Sequence, residues 1–557
     1  MVSLVEAPER TPYRWRWVAL FVILAAEVMD LLDALVTTIA SPAIRADLGG
    51  SLSLIQWLGA AYTLAMAVGL LTGGRLGDMF GRRRMFVVGA VGFTAASAVC
   101  GLAPSGGVLI GARVVQGLFG AVMIPQGLGI IKQIFPPRET AAAFGIFGPV
   151  MGMSSVGGPV LAGWLVDADW FGHGWRMIFL INLPLGLLAV LGGLRFIPAD
   201  GVLPRRPGWD LPGTVLAAAG SFLLVYPLVQ GRELDWPAWT FAMLGGAVVV
   251  FALFGWYEVR RERAGADPLV VPGLFRKRAF TGGLIAGVVF FAALIGLSLA
   301  TSIYYQLGLG WSPLKAGLTG LPNALGAVVG FIAAGAGLTA RLGRRLLQVG
   351  GVVMALGAGG LWWSVQHVDD VTPWHLAPAL AVTGIGMGLF MAPFFDIVLA
   401  GVEPHESGSA SGTLTSVQQL GGALGIAVLG TVLFGLLPGA VADRADAAAP
   451  PLRARLAAAG VPAGDQDRIV AGVRACLRDR ADSDDPSREP ATCTALSGSG
   501  PGGGDPAIGP AIETYARDAA RTGFRDALTR TVAVAIALLA LAVAVSFLLP
   551  QRAREEE

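Results

Sequence analysis

The stretch Gly74–Arg84, with the sequence GRLGDMFGRRR, separates two long apolar runs at 54–73 and 85–103. Four arginines and one aspartate cannot lie in hydrocarbon, so the stretch predicts a tight polar turn between two membrane-spanning helices. The positive-inside rule places this turn on the cytoplasmic side. Its three glycines let the helix ends approach closely, and Asp78 offers the arginines a carboxylate partner.

The composition predicts an all-α polytopic membrane protein. The chain has 557 residues, of which 54% are hydrophobic and only 14% are charged, and its mean hydropathy is +0.65. A soluble protein carries about 25% charged residues. The net charge is only +2, and the basic residues are spread over loops. We therefore expect the chain to contact the lipid bilayer and not nucleic acid.

Signatures of catalysis are missing from the sequence. It contains no GxxxxGK[ST] loop for nucleotide phosphates, and its three cysteines lack the spacing of metal ligands. Its four histidines lie in or near predicted loops. We therefore expect no enzymatic activity, no metal and no cofactor.

Apolar runs of about 20 residues predict fourteen transmembrane helices. They lie near 17–40, 54–74, 85–103, 107–131, 141–165, 175–197, 211–230, 237–257, 280–305, 313–337, 346–366, 374–401, 409–437 and 528–549. An even number of spans puts both termini on one side of the membrane.

The distribution of basic residues indicates which side that is. The predicted cytoplasmic segments hold 21 Arg and Lys residues, whereas the short external loops hold only Arg45 and Arg232. We therefore predict that the segments 1–16 and 550–557 are cytoplasmic tails and that the chain crosses the cell membrane.

The polar turn recurs once in the chain. Leu338–Arg345, LTARLGRR, repeats Leu76, Gly81, Arg82 and Arg83 at a constant offset of 262 residues. Such a repeat predicts two related halves, as in transporters built from duplicated bundles.

Three acids share one face of the first predicted helix. Glu27, Asp30 and Asp33 fall within a 120° arc at 100° per residue, and Thr37 falls on the same arc. A carboxylate near the bilayer centre costs about 2.5–3.5 kcal/mol, so the pattern predicts a face that lines a wet cavity. The alternative is that Glu27 or Asp30 pairs with a neighbouring helix.

Several of these stretches resemble one transporter family. Gly74, Leu76, Asp78, Gly81, Arg82 and Arg83 are similar to the loop signature of the major facilitator superfamily, although Met79 replaces its usual basic residue. Leu32-Asp33-Ala34-Leu35 with Ala40-Ser41-Pro42 is similar to a signature of the fourteen-helix drug:proton antiporter branch, which usually has threonine at the position of Leu35. Gly145, Gly158, Pro159 and Gly163 resemble the helix-5 motif of antiporters.

The resemblance implies two six-helix bundles, at 17–197 and 280–549. The segment 198–279 then contributes two additional central helices and a basic cytoplasmic connection. For the connection, residues 258–279, a solvated loop that only sets the topology is the simpler interpretation. The residues 439–527 form an external insertion between helices 13 and 14.

The resemblance also implies the gate and the proton-coupling residues. Gly74, Asp78, Gly81, Arg82 and Arg83 would form a cytoplasmic gate. Asp33, Asp30 and Arg113 would couple transport to a proton gradient, with a structural ion pair as the alternative for Arg113. Asp396 is an acid within a predicted span and is therefore a candidate for a second protonation or cation-contact site, with a structural hydrogen bond as the alternative. Together with Glu27, Asp30 and Gln116 it would line the substrate cavity.

The external insertion carries a predicted disulfide. Cys476 and Cys493 both lie outside the membrane, where disulfides persist, whereas Cys100 in the third helix should stay reduced. The residues 453–477 have helical spacing, 479–505 have the composition of a disordered segment, and 511–528 predict an amphipathic helix.

The best interpretation is a monomeric, proton-driven exporter of amphipathic or cationic compounds that works by alternating access. One rival is a dedicated exporter of a single endogenous metabolite or antibiotic, because fold and coupling would be shared. A second rival is a membrane sensor or assembly factor that uses the insertion to bind a partner.

Overall fold

The computed structural model describes residues 13–136, 157–199, 210–399, 406–482, 490–497 and 509–551, and isolated residues at 139, 146, 150, 154, 208, 402 and 403. The described part of the chain is helical and contains no strand. Most of the predicted tail 1–16, most of 550–557, and the positions 200–207 lie outside the described residues.

The helices follow the predicted order. The first half contains α1 (Arg16–Leu48), α2 (Leu52–Phe80), α3 (Arg82–Gly101), α4 (Gly106–Ile134), α5 (157–167) and α6 (Gly174–Phe196). The central pair is α7 (Leu211–Gln230) and α8 (Ala238–Arg263). The second half contains α9 (Arg278–Gly308), α10 (Pro313–Leu338), α11 (Arg344–His367), α12 (Pro373–Val398), α13 (Ser407–Ala458), α14 (Ala463–Asp482), α15 (Ala491–Ser497) and α16 (Gly509–Ser546).

Twelve helices in the described part of the chain are long and apolar enough to cross a membrane. The two other predicted spans differ for distinct reasons. Helix α1 has 33 residues, but three carboxylates lie within its apolar stretch. The span 141–165 is described continuously only from residue 157. The all-α polytopic fold is therefore confirmed, whereas the count of fourteen stays a prediction.

The repeated turn contains a glycine with positive φ in both halves. Gly81 ends α2 with φ of 99°, and Gly343, at the predicted offset, precedes α11 with φ of 50°. Both values lie in the left-handed region that favours glycine. Arg83 donates to the carbonyl of Leu194 near the end of α6. Arg344 donates to the carbonyl of Leu549 just beyond α16, at 2.5 Å.

The two halves are in contact at the end of the molecule opposite the Gly74–Arg84 turn. The side-chain amide of Gln306 on α9 donates to the carbonyl of Ile39 on α1 at 2.9 Å. The carboxylate of Asp167 on α5 accepts the backbone N–H of Leu314 on α10 at 3.1 Å. Helix α2 also runs along α13, where Gln56 donates to the carbonyl of Ile426 at 3.3 Å. This end of the molecule is therefore closed.

The central pair packs on the seam between the halves. Trp57 on α2 donates to the side chain of Gln230 at the end of α7 at 3.2 Å. Thr431 on α13 donates to the carbonyl of Leu228 at 2.6 Å. Helix α8 is the more peripheral of the two and exposes large apolar side chains such as Val248 and Trp256, as expected of a helix that faces lipid.

The external insertion is more helical than the sequence suggested. Helix α13 continues without a break for 52 residues, and α16 begins well before the predicted span and has 38 residues. The bidentate ion pair of Arg444 with Asp526 joins the two extensions, at 2.5 and 2.8 Å. Buried residues such as Leu456 and Val473 extend the membrane core into this region, which explains why the polar composition does not interrupt the helices.

The predicted disorder at 479–505 needs correction where the chain is described. Helix α14 continues through Asp482, and α15 covers Ala491–Ser497. The intervening 483–489 and the following 498–508 lie outside the described residues.

Candidate functional site

The acidic face of α1 is directed at α4. The two helices run antiparallel, so the last acid along α1 lies beside the earliest of these α4 residues, and the first acid lies beside the latest. Asp33 contacts Arg113, and a Cβ built on Gly120 would lie 2.9 Å from an oxygen of Asp30. A Cβ built on Gly127 would lie 3.0 Å from an oxygen of Glu27. Small residues on α4 therefore leave room for the carboxylates.

The centre of the site is the ion pair between Asp33 and Arg113. Asp33 is 0% exposed and Arg113 is 1% exposed. Two charges this deep must satisfy each other and their remaining hydrogen-bonding groups, because loss of one partner leaves an uncompensated buried charge. The position of Asp33 on α1 and of Arg113 on α4 therefore fixes the two helices against each other.

Arg113 has several further partners. Its Nε donates to the carbonyl of Leu58 on α2 at 3.2 Å, and its Nη1 donates to the side-chain oxygen of Gln116 at 2.8 Å. Its guanidinium carbon lies 4.1 Å from the ring centroid of Tyr62 and 5.8 Å from that of Phe179, within the range of a cation–π interaction.

Three uncharged side chains complete the cluster around Asp33. The amide groups of Gln116 and Asn182 each donate to Asp33 Oδ1 at 2.8 Å. They also donate to the hydroxyl of Ser97, at 3.2 and 2.9 Å. Ser97 donates to the carbonyl of Phe179 at 3.0 Å. The carboxylate is therefore held by amide and guanidinium donors instead of solvent.

One acceptor in this cluster is not used. Asn182 Oδ1 is buried and accepts no hydrogen bond from the described residues. It belongs to the side chain whose amide group donates to Asp33. The cluster therefore has one buried acceptor without a donor among the described residues.

Asp30 has a separate partner. The hydroxyl of Tyr62 donates to Asp30 Oδ1 at 2.5 Å, and the same tyrosine ring lies beside Arg113. Tyr62 thus contacts two of the three residues predicted to couple transport to protons, Asp30 and Arg113. Asp30 is partly exposed, unlike Asp33.

The residues predicted to line the substrate cavity differ in their exposure. Gln116 is 0% exposed and belongs to the Asp33 cluster, and Glu27 is 8% exposed, whereas Asp30 on the same face of α1 is partly exposed. In this conformation Arg113 and the two amides are the donors to Asp33. Asp396 lies in the last turn of α12, exposed and far along the chain from these groups.

The predicted cytoplasmic gate is a close helix contact. A Cβ on Gly77 would overlap the side-chain amide of Gln126, which donates to the carbonyl of Gly73 at 2.8 Å. A Cβ on Gly74 would make ordinary contact with Pro125 at 3.9 Å. Arg82 lies against Gly129 of α4. The side chain of Asp78 lies outside the described residues.

The predicted helix-5 motif lies on α5 as far as it is described. Gly158 packs against Leu32 and Leu35 of α1, and Gly163 packs on the backbone of Leu314. The carbonyl of Pro159 faces Gly317 on α10. These small residues thus lie at the contact of α5 with both halves. Gly145 lies outside the described residues.

A surface ion pair connects α1 and α6 at the outer end of the first half. Arg176 contacts Asp47 Oδ2 at 2.5 Å, and the indole of Trp175 donates to the same oxygen at 3.0 Å. The hydrogen bond from Arg176, followed by that from Trp175, holds the pKa of Asp47 below its ordinary value.

The cysteines lie apart from the charge cluster, with one exception. Cys476 and Cys493 form a disulfide in the external insertion, with their Cα atoms 4.6 Å apart. Cys100 is a buried free thiol. Its sulfur lies 3.7 Å from the side-chain oxygen of Gln116.

No role in the cluster is predicted from the sequence for Ser97, Asn182 or Tyr62. Each is a polar residue within a predicted span. A polar residue within a predicted span is itself a signal, because it needs a partner in hydrocarbon. The sequence gives no indication of which helix supplies that partner.

Comparison with known proteins identifies related transporters. A model of the Major Facilitator Superfamily matches residues 17–426. The chain is similar to a probable actinorhodin transporter of Streptomyces coelicolor, with 49% identity over 98% of this chain and 94% of that protein. It is also similar to the puromycin resistance protein pur8 of Streptomyces alboniger, with 38% identity over 79% and 86% of the two chains.

The fold also has relatives among solved structures. One is a bacterial homolog of the human lysosomal transporter Spinster in its inward-facing and unoccupied conformation. The TM-score is 0.59 at 16% identity, and the match covers 96% of this chain and 98% of that one.

Proposed function

This chain belongs to the Major Facilitator Superfamily, and we propose that it exports antibiotic-like amphipathic molecules across the cytoplasmic membrane in exchange for protons. Its relatives and its fold are those of multi-pass membrane transporters, not of enzymes. The proposal therefore concerns the direction of transport, the energy source and the substrate.

The observation that carries proton coupling is the buried ion pair of Asp33 with Arg113. Protonation of Asp33 would remove its charge and leave Arg113 to its other partners, the carbonyl of Leu58 and the side chain of Gln116. Those contacts lie on α2 and α4, whereas Asp33 lies on α1. Proton binding would thus loosen α1 from α4, and a change in helix packing is what alternating access requires.

The energy of a proton is sufficient for export. Each proton that enters down a potential of 100 mV supplies about 2.3 kcal/mol. A tenfold concentration ratio of substrate corresponds to about 1.4 kcal/mol. For a neutral substrate, one proton per molecule would therefore maintain more than a tenfold gradient. For a monovalent cation the one-to-one exchange moves no net charge, so the pH gradient has to supply the energy.

The closed end of the molecule fits one state of this cycle. The contacts of Asp167 with Leu314 and of Gln306 with Ile39 lie at the end that the topology prediction makes external. A transporter closed to the outside can receive substrate from the cytoplasm. From the distribution of basic residues we also propose that both termini are cytoplasmic. We further propose that the protein is a monomer and uses no cofactor.

The substrate class rests on the relatives. The names of two of them refer to actinorhodin and to puromycin resistance. Another relative is a tetracenomycin C resistance and export protein of Streptomyces glaucescens. It is 34% identical, and the match covers 75% of this chain and 76% of that protein. We propose that this chain exports compounds of comparable size and amphipathic character. Glu27 and Asp30 would favour cationic substrates.

A second candidate is a dedicated exporter of one endogenous antibiotic. The observation in its favour is the 49% identity to the probable actinorhodin transporter, which extends over 98% of this chain and includes the external insertion. A multidrug exporter would transport several unrelated dyes, whereas a dedicated exporter would transport one structural class.

Efflux from proteoliposomes tests both proposals. The purified protein is reconstituted with a defined pH gradient and loaded with ethidium, a neutral dye or actinorhodin. We expect substrate movement against its gradient only when protons flow the other way. Transport that is indifferent to the pH gradient would contradict antiport, and transport of actinorhodin alone would support the dedicated exporter.

A further inference from the structure

A second pair of buried acids lies outside the site described above. Asp210 precedes α7 and is 0% exposed, and Glu258 lies near the end of α8 and is 2% exposed. The two carboxyl groups approach each other beside Gly213. They lie at the same end of the molecule as the Gly74–Arg84 turn.

One oxygen of each acid accepts no hydrogen bond. Asp210 Oδ2 and Glu258 Oε1 are buried and have no hydrogen-bond donor among the described residues. A Cβ built on Gly213 would lie 2.5 Å from both atoms, so the two oxygens converge on the same point. Two acceptors that face each other in a buried space repel unless a proton lies between them.

The charged surroundings leave room for one negative charge. Arg261 Nε lies 3.5 Å from Asp210 Oδ2, and the hydroxyl of Tyr257 donates to Asp210 Oδ1 at 3.0 Å. The remaining charged groups that face the pair in the described residues are Arg75 on α2 and Asp267. Arg75 is bound to backbone carbonyls. The charge of Arg75 is offset first by Asp267, so among the described residues Arg261 compensates one carboxylate of the pair and a shared proton would compensate the other.

The pair supports the segment that connects the two halves. This connecting segment, residues 264–271, follows α8, and the backbone N–H of Val270 donates to Glu258 Oε2 at 3.2 Å. Arg75 of the first half donates to the carbonyls of Asp267 and Pro268. On the other side, the backbone N–H of Val271 donates to Ser409 on α13 at 3.2 Å.

We propose that Asp210 and Glu258 form a proton-binding site that holds one shared proton and fastens the connecting segment between the two halves. With the proton in place, one carboxyl donates to the other and Glu258 keeps its bond to Val270. Loss of the proton leaves two buried carboxylates that face each other, so Glu258, the acid bonded to Val270, turns toward water and releases that amide. The fastened state retains its proton to higher pH than the released state, so it is favoured at low pH and lost as pH rises.

Hydrogen exchange of the full-length protein in lipid nanodiscs tests the site without any transport assay. If release of the segment also releases one proton, protection of the Val270 and Val271 amides falls about tenfold per pH unit beyond the intrinsic change in exchange rate. Glu258→Gln, which mimics the protonated acid, should abolish this excess slope. Glu262→Gln, on the exposed side of the same helix, should keep it.

Infrared spectroscopy gives a second readout. The wild-type protein should show the carbonyl band of a protonated carboxyl group that titrates in parallel with the amide protection. Glu258→Gln and Asp210→Asn should each remove that band, and either variant that retains native helicity is sufficient. A wild-type protein without the excess slope, or variants that keep both the slope and the band, would overturn the proposal. If the protein showed no proton-coupled export, this proposal would not be contradicted, because neither readout involves a substrate.

Discussion

Arg113 on α4 and Asp33 on α1 form an ion pair in which both side chains are almost completely buried. The pair is surrounded by donors and acceptors from α2, α3 and α6, so five of the six helices of the first half meet there. A change of charge at Asp33 therefore acts on the packing of most of this half.

Replacement of Asp33 by asparagine should abolish efflux driven by a pH gradient. The asparagine cannot bind and release a proton, and Arg113 is left unpaired, which should lower stability by about 3–5 kcal/mol. Proton-coupled dye efflux and thermal unfolding of the purified variant measure the two effects. Asp47→Asn, at the exposed end of the same helix, is the matched control and should retain coupling.

The double variant Asp33→Asn, Arg113→Gln separates coupling from stability. It should recover much of the lost stability, because no unpaired charge remains, but it should not recover coupling. If Asp33→Asn still accumulated substrate at a normal proton cost, Asp33 would not be the proton carrier. Asp30 or Asp396 would then be the next candidate.

Asp30→Asn should affect cationic substrates more than neutral ones. Asp30 is partly exposed and bonded to Tyr62, so it can contact a positively charged substrate while Asp33 stays buried. Loss of one exposed charge pair is worth about 0.2–1 kcal/mol, and more in a desolvated cavity. The ratio of KM values for ethidium and a neutral dye measures the effect, and Tyr62→Phe, which retains the carboxylate, is the control. Equal changes for both dyes would contradict this role.

The fold was largely predictable because its determinants are local. Apolar length, the charge of the Gly74–Arg84 turn and its repeat at Leu338–Arg345 each depend on one stretch of sequence. The need of Arg113 for a carboxylate was also evident, because an arginine within a span must be compensated.

The site was less predictable because its contacts join distant stretches. Asn182 on α6 donates to Asp33, and Ser97 on α3 accepts from the same amide, and nothing in their own neighbours indicates this. Asp210 and Glu258 have the positions of ordinary interfacial acids, and only the folded connection buries them. The extension of α13 was hidden by polar composition, although its apolar residues continue at helical spacing as far as Leu456.

Gly77→Ala should slow transport through the packing of α2 on α4. The added Cβ would overlap the side-chain amide of Gln126, and the two helices would have to separate at the cytoplasmic turn. Overpacking of this kind costs about 1–3 kcal/mol. Gly111→Ala on α4, where a Cβ meets no neighbour within 4 Å, is the control. Initial efflux rates and unfolding temperatures should fall for the first variant alone, and equal behaviour of the two would contradict a gate at this contact.

The disulfide of the external insertion should be complete in the native protein. Alkylation without reductant should modify neither Cys476 nor Cys493. Their replacement by serine should destabilise α14 and α15 by about 3 kcal/mol, because the bond closes a loop of intermediate length. Limited proteolysis before and after reduction measures this, and reductant should have no effect on the double-serine variant. Two thiols that alkylate independently in the non-reduced protein would refute the pairing.

Gly163→Ala should open the external end of the molecule. A Cβ at this position would overlap the backbone of Leu314, and the adjacent bond from Leu314 to Asp167 closes the same contact. A penalty of about 1–3 kcal/mol confined to the closed state shifts the equilibrium about 5- to 150-fold toward the open one. Spin labels at Ala168 and Lys315, both exposed, should report a longer distance in the variant. Gly157→Ala has no neighbour within 4 Å of its Cβ and should keep the wild-type distance. An unchanged distance in Gly163→Ala would show that the close contact of α5 and α10 does not hold this end shut.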